Sequence, residues 1–254
     1  MSKRRIGLAL YTIRDKMKTP ADYARCLAEV KKIGYEGVEG SAIDPIIDVK
    51  EYARILQGEG LVCISNHAGE ADLRTKLDTV ISNAKTLACN AIAFPWLDQQ
   101  YYNEAGVRTI ARFLDETGAR LAKEGIQFLY HNHHVEFNRA GKKTILATIY
   151  ELTNPKYVMA ELDTYWVQHG GGDPVDWIGR VKGRARHLHC KDKAMMGTEC
   201  VFAEVGEGNL DWPKIVKAAK SVGIEWFIVE QDSSRRDTLV SAEMSFKALQ
   251  GLLK

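Results

Sequence analysis

The chain has no run approaching the roughly 18 consecutive apolar residues that a membrane span requires, so no membrane partner is expected. Proline is sparse, with 6 residues against 21 glycines, and no low-complexity tract, linker-like stretch or charge block divides the chain. An excess of either charge is also missing. The 35 Lys and Arg nearly balance the 33 Asp and Glu, for a net charge of +2. The longest basic cluster, Lys3-Arg4-Arg5, is short and terminal. These features remove the electrostatic footprint of a nucleic-acid partner. The five cysteines, Cys26, Cys63, Cys89, Cys190 and Cys200, are odd in number and lack CxxC spacing. They read as free thiols of a reducing cytoplasm, not as a disulfide framework. No GxGxxG or Walker-type glycine loop follows the first apolar segment, which argues against an open doubly wound nucleotide-binding sheet.

The basic terminus followed by apolar residues 6–13 could imitate a signal peptide. That stretch stops at Arg14-Asp15-Lys16 with no small-residue cleavage site behind it, and a buried first strand explains it better. The remainder alternates short apolar strands with longer amphipathic stretches, the sequence form of a parallel α/β fold. Strands are expected at 6–11, 37–40, 61–65, 91–95, 126–131, 157–162, 186–190 and 226–230. Helices are expected at 21–33, 49–58, 70–88, 105–123, 143–152, from 173 to about 181, and at 212–222 and 238–253. Thr19-Pro20 reads as a cap and first helical turn. Eight strand–helix units in 254 residues fit a single (β/α)₈ TIM-barrel domain spanning 1–254.

In such a barrel the active site lies where the strands end. Strand five ends in His131-Asn132-His133-His134 with Glu136 close behind; strand six ends in Glu161-Leu162-Asp163. Strand seven ends in His187-Leu188-His189 and strand eight in Glu230-Gln231-Asp232. Alternate positions share one side of a strand, so each histidine pair projects together. His, Asp, His and Glu from four consecutive strands make a mixed nitrogen and oxygen set. It suits one divalent metal ion, Mn²⁺, Co²⁺, Zn²⁺ or Fe²⁺, better than Mg²⁺. His187 and Glu161 lie one layer deeper and read as support behind the ligands. Cys190 alternates away from His189 and is expected to pack outward. Gly170-Gly171-Gly172 reads as a loop at the mouth, ahead of a helix start at Asp173-Pro174.

Several segments carry a resemblance. They are Leu8-Ala9-Leu10-Tyr11-Thr12-Ile13-Arg14-Asp15, Tyr130-His131-Asn132-His133, Glu161-Leu162-Asp163-Thr164-Tyr165-Trp166 and His189-Cys190-Lys191-Asp192. To these add Val205-Gly206-Glu207-Gly208-Asn209-Leu210-Asp211-Trp212 and Val229-Glu230-Gln231-Asp232. Together they resemble the sugar phosphate isomerase/epimerase family of xylose-isomerase-like TIM barrels, which also includes ketose 3-epimerases and inosose dehydratase. The resemblance runs along the whole chain. It implies metal ligands at Asp163, His189 and Glu230, with His131 standing where ketose epimerases carry a glutamate. Histidine can still ligate through a neutral imidazole. It does not replace the second carboxylate base of those enzymes. His133 and Glu136 are alternatives for the strand-five ligand, and Glu136 for the missing carboxylate.

The chemistry so implied is proton abstraction beside a carbonyl, through an enediolate held by the metal. Glu230 is the expected general base, and Lys191 the hydrogen-bond donor to developing negative charge. His133, Trp166, Trp96 and Tyr11 are the expected contacts to a small sugar or polyol substrate. Reprotonation on the other face gives epimerisation, transfer to the next carbon isomerisation, and loss of a β-hydroxyl dehydration. Isomerase/epimerase is the expected activity, and an inosose-dehydratase-like lyase is the alternative. A non-catalytic sugar-binding subunit is a further alternative. A DNA-repair endonuclease of the same barrel class is disfavoured by the balanced charge. A homo-oligomer is compatible with all of these.

Overall fold

The computed structural model describes residues 4–40 and 46–254; Lys3 of the basic cluster and the segment 41–45 lie outside them. Among the described residues, eight strands close into an all-parallel barrel. They are β1 (Arg5–Ala9), β2 (Gly37–Gly40), β3 (Val62–His67), β4 (Ala91–Phe94), β5 (Gln127–His131), β6 (Met159–Asp163), β7 (Ala185–Cys190) and β8 (Trp226–Val229). Each strand pairs with its neighbours in sequence, and β8 returns to pair with β1 through Arg5–Trp226 and Leu8–Val229. The strands are apolar because both faces are covered: every residue of Ala91–Phe94 and Trp226–Val229 is buried.

The surrounding helices start where side-chain caps satisfy their first amide groups. Thr19 accepts the Asp22 amide ahead of Pro20, as the sequence indicated. Asn103, Asp211 and Asp237 cap the helices Glu104–Ala122, Trp212–Val222 and Thr238–Leu253. Their apolar faces supply Val107, Ile110, Leu114, Ile215, Val216 and Phe246 to the large core between helices and barrel. Cys190 is buried in that core, on the outward side as expected. The lower part of the barrel lumen is plugged by a separate cluster of Ala9, Ile64, Trp226 and Ile228. Gly37 makes room for the plug, since a Cβ there would lie 2.9 Å from Ile64 Cγ1 and 3.1 Å from the Trp226 ring. Above the plug the lumen is polar, and the candidate site begins there.

Four expectations need correction. β1 ends at Ala9, and Leu10–Lys16 coils into a 3-10 helix, so Tyr11 stands in the mouth segment and not in the strand. The expected helix 70–88 is two helices, Glu70–Thr75 and Leu77–Thr86, broken at Lys76, whose φ of −138° and ψ of 28° are not helical. A further helix, Thr164–His169, follows β6 directly because Asp163 caps it by accepting the Trp166 amide at 2.9 Å. Between β7 and the next helix the chain forms an antiparallel hairpin, Asp192–Met196 with Glu199–Ala203.

Candidate functional site

Six strands bring ionisable side chains to the polar half of the lumen: Glu39 from β2, His67 from β3 and His131 from β5. Glu161 and Asp163 come from β6, His187 and His189 from β7, and Glu230 follows β8. Except for His67, all are buried in the residue as a whole. The strand ladder sets their heights. His131 pairs with Glu161, Glu161 with His187, and Asp163 with His189.

The four residues expected as ligands do meet. His131, Asp163, His189 and Glu230 offer donor atoms that all lie within 4.8 Å of one another. Glu230 Oε2 is 3.1 Å from His189 Nδ1. A second group with the same spread comprises His67, His131, Glu161 and His189. Glu39 Oε1 joins it, 3.1 Å from His67 Nε2 and 2.8 Å from His189 Nε2.

Lys191 is no surface lysine. It is fully buried, with its ammonium 2.8 Å from Glu230, 2.7 Å from Asp232 and 3.3 Å from Asp163. Burial alone would lower its pKa, but the three carboxylates hold it above the ordinary value, so the amine stays charged. Glu230 answers the same forces in reverse. Burial alone would raise it, and the charges of Lys191 and His189 hold it well below the usual carboxylate range. Asp163 is pushed by burial up to about 7, with Lys191 opposing. Burial and the nearby His189 and His133 push His131 well below its ordinary value, which leaves a neutral imidazole with a free lone pair. The carboxylates Glu39 and Glu161 act the other way on His67 and outweigh its burial, holding it at about 10.

The fit of a cation can be judged from hydrogen bonding. Among the described residues, Glu39 Oε1, His67 Nε2, His131 Nδ1, Glu161 Oε1, Asp163 Oδ2 and His189 Nε2 are buried atoms without an aligned hydrogen-bond partner. An orphaned buried polar atom ordinarily costs about 1–3 kcal/mol. Several of them clustered within ion-pair distance of one another need a shared partner, and a divalent ion suits these donors. The residues present therefore fit a metal centre.

Around the cluster stands an aromatic wall. His133 lies between Trp96 and Trp166, with ring centroids 4.9 and 5.2 Å away. The Trp166 ring also sits 5.1 Å from the Lys191 ammonium. Trp96 is half exposed, and Tyr11 is exposed with the Arg14 guanidinium 3.8 Å from its ring centroid. Arg14 also donates to the Asp232 carbonyl, which ties the β1 mouth segment to the end of β8. Glu136 is neither solvated nor in the cluster of candidate ligands. It is fully buried, accepting from the Tyr130 hydroxyl at 2.9 Å and the His133 amide at 2.8 Å, and burial pushes it to about 7. Its present role is to hold the backbone of His133.

The two motif segments after β7 prove to be one structural unit. Asp192 accepts from the amides of Gly206, Gly208 and Leu210 and from the Trp212 indole. Gly208 is required at this close approach, because a Cβ would lie 2.6 Å from the Lys193 carbonyl as well as striking Asp192. Thr164 performs a similar task below. Its hydroxyl lies 3.0 and 2.8 Å from the carbonyls of His189 and Lys191 and accepts the Lys191 amide, so β6 fixes the height of β7.

Sequence reasoning missed Glu39 and His67, and it named Glu161 only as support behind the ligands. One oxygen of Glu161 is held by His187 Nδ1 at 3.0 Å, as a supporting pair should be. The other faces the cluster, 3.6 Å from His67 and 3.5 Å from His189. The signal that could have found His67 was a strand reading carried two residues further, since β3 runs to His67 and not to residue 65.

Comparison with known proteins agrees with the barrel fold. Residues 27–250 match the family described as xylose isomerase-like TIM barrel. An inosose dehydratase of Mesomycoplasma hyopneumoniae (strain 7448) is 29% identical over 61% of this chain and 58% of its own length. The chain thus spans less than two thirds of the inosose dehydratases it matches first. The rhizopine catabolism protein MocC of Rhizobium meliloti is 24% identical, with 89% of this chain and 80% of that protein aligned. A sugar phosphate isomerase/epimerase from Parabacteroides distasonis ATCC 8503 superposes with a TM-score of 0.83 at 25% identity, covering 100% of this chain and 96% of that one. The closed eight-stranded barrel and a match over most of the sequence place this chain in the xylose isomerase-like TIM barrel family.

Proposed function

We propose that this protein is a metal-dependent sugar or sugar-phosphate isomerase/epimerase that removes a proton from the carbon beside a carbonyl. The observation that carries the reading is the Glu230–Lys191 pair. A carboxylate held ionised lies 2.8 Å from a buried ammonium, at the mouth of the polar lumen. Glu230 is the base, ready to accept the proton over the whole working pH range. Lys191 keeps its charge beside the oxygen where negative charge develops as the proton leaves. A divalent ion held by His131, Asp163, His189 and Glu230 would polarise the carbonyl and contribute several kcal/mol of charge stabilisation. Trp96, His133 and Trp166 supply an aromatic wall, its rings inclined at 65° and 45° to one another, against which a sugar can pack, and Tyr11 stands exposed in the mouth segment after β1. The family membership and the Parabacteroides distasonis likeness support a sugar-sized substrate.

A second reading is favoured by His131 together with the inosose dehydratase relatives. With an imidazole where a second carboxylate base would stand, the same first step can end in loss of a β-hydroxyl. Deuterium wash-in tests the shared step. The protein, in D₂O with Mn²⁺ added, is offered ketoses, inososes and 3-keto sugars, and the α-carbon is followed by NMR. Exchange with one substrate class is expected. Absence of exchange with all of them, at full metal loading, refutes both readings.

A further inference from the structure

We propose that the lower part of the cluster is a second divalent-cation site, formed by Glu39, His67, Glu161 and His189 Nε2. It lies beneath the His131, Asp163, His189 and Glu230 group, because Glu161 is one same-side layer below Asp163 on β6. The spacing is that of ligands around one ion. Glu39 Oε1 is 3.1 Å from His67 Nε2 and 2.8 Å from His189 Nε2, and Glu161 Oε1 is 3.6 and 3.5 Å from the same two nitrogens. Four ligands bonded tetrahedrally at about 2.0–2.1 Å stand roughly 3.3–3.4 Å apart. The contacts scatter around that value.

A hydrogen-bonded charge network would look different. It would aim each ring N–H along a line to a carboxylate oxygen, yet all four of these atoms lack an aligned partner among the described residues. The opposite oxygens, by contrast, are tied down. The Ser65 hydroxyl donates to Glu39 Oε2, and His187 Nδ1 holds Glu161 Oε2 at 3.0 Å. Such outer contacts orient first-sphere carboxylates around a metal. Nor is the charge of two buried carboxylates met by Lys191, whose ammonium is engaged with Asp163, Glu230 and Asp232. Two imidazoles and two carboxylates suit Zn²⁺, Co²⁺, Mn²⁺ or Fe²⁺. His67, with 13% of its side chain exposed, gives the ion a way in.

The two sites meet at His189, whose Nδ1 faces Glu230 and whose Nε2 faces Glu39. With both filled, His189 would offer one ring nitrogen to each ion, its ring proton passing to solvent as the second ion binds. His189, and His131 through its place in both groups, link the inference to the metal assigned above. The remaining ligands are separate, so the two claims can fail separately.

The test counts and locates ions. Protein stripped with chelator is reloaded with Co²⁺, dialysed, and measured by elemental analysis and by anomalous diffraction at the cobalt edge. Wild type, Glu39→Gln, His67→Ala and Asp163→Asn are compared, each checked for folding by circular dichroism. His67→Ala, at the partly open edge, guards against misfolding of the fully buried variant. The expected result is about two ions per chain in wild type and about one in each variant. The ion that Glu39→Gln and His67→Ala retain should lie beside Asp163, and the one Asp163→Asn retains beside Glu39. One ion in wild type, kept by Glu39→Gln and His67→Ala but lost by Asp163→Asn, overturns the deep site and leaves the upper one standing. One ion with the reverse pattern supports the deep site and removes the upper. No bound ion overturns both.

Discussion

Replacing Lys191 by methionine keeps most of the side chain's length and apolar stem and deletes its charge. The deletion leaves Asp163, Glu230 and Asp232 facing one another, where an ammonium now lies 3.3, 2.8 and 2.7 Å away. Two of these carboxylates are essentially sealed from solvent, while Asp232 keeps 23% of its side chain exposed and can rehydrate. Removing one partner from a buried ion pair costs about 3–5 kcal/mol, so a metal-free Lys191→Met protein should lose stability on that scale. The sign with pH follows. Without the ammonium, Asp163, already pushed by burial to about 7, takes a folded-state pKa still further above that of the unfolded chain. Stability is then present at low pH and lost as pH rises through the folded value. The deficit relative to wild type should therefore shrink between pH 7 and pH 5. A bound divalent cation replaces part of the missing charge, so added Mn²⁺ should also shrink it. Urea unfolding at pH 5, 6 and 7, with chelator and with Mn²⁺, measures all of this. A loss below about 1 kcal/mol at pH 7 in chelator would mean that Lys191 carries little of the compensation, and the electrostatic account of the site fails.

Glu230→Gln keeps shape and an oxygen donor but removes the proton acceptor, and metal-loaded protein should exchange substrate deuterium about 10²–10⁴-fold more slowly. Exchange near the wild-type rate at matched metal content would make Glu230 a ligand only and move the base to His131, His133 or Glu136. Glu136, pushed to about 7 from an ordinary 4.5, contributes stability that is present below pH 4.5 and lost as pH rises to about 7. Glu136→Gln should flatten the pH dependence of stability by about 3 kcal/mol across that window, read from urea midpoints at fixed metal content. An unchanged slope would place the titration elsewhere.

The barrel strands were legible because their burial on both faces leaves apolar runs that few helices would show. The histidine-rich ends of β5 and β7 were equally plain, since alternate polar residues inside such runs have no packing explanation. β2 hid its contribution. In Gly-Val-Glu-Gly the four residues are too few to show a period, and nothing in so short a run marks Glu39 as facing the lumen. The helix expected over 70–88 failed for another reason. Its apolar period continues across Lys76, so the non-helical backbone there leaves no trace in the pattern. Asp163 carries two messages in one residue, a site carboxylate and the cap of Thr164–His169, and only the first was read. The hairpin after β7 was invisible because its strands expose Met195 and Met196 and have no buried face to declare them.

The way Asp192 is bonded bears on how such a protein changes over generations. One carboxylate gathers the amides of Gly206, Gly208 and Leu210 and the Trp212 indole, and so pins the far end of the excursion that begins at Asp192 itself. Everything between the pins is a cassette. The hairpin tip around Gly197 can lengthen, shorten or exchange its side chains while His189 and Lys191 keep their places. Phe202, on the returning strand, already packs on Tyr165 and flanks Trp166, with its ring centroid 5.5 Å from the Lys191 ammonium, so revisions of the cassette are felt along this aromatic wall. Grafting this segment between relatives accordingly changes the wall beside Lys191 while the pins at both ends stay in place.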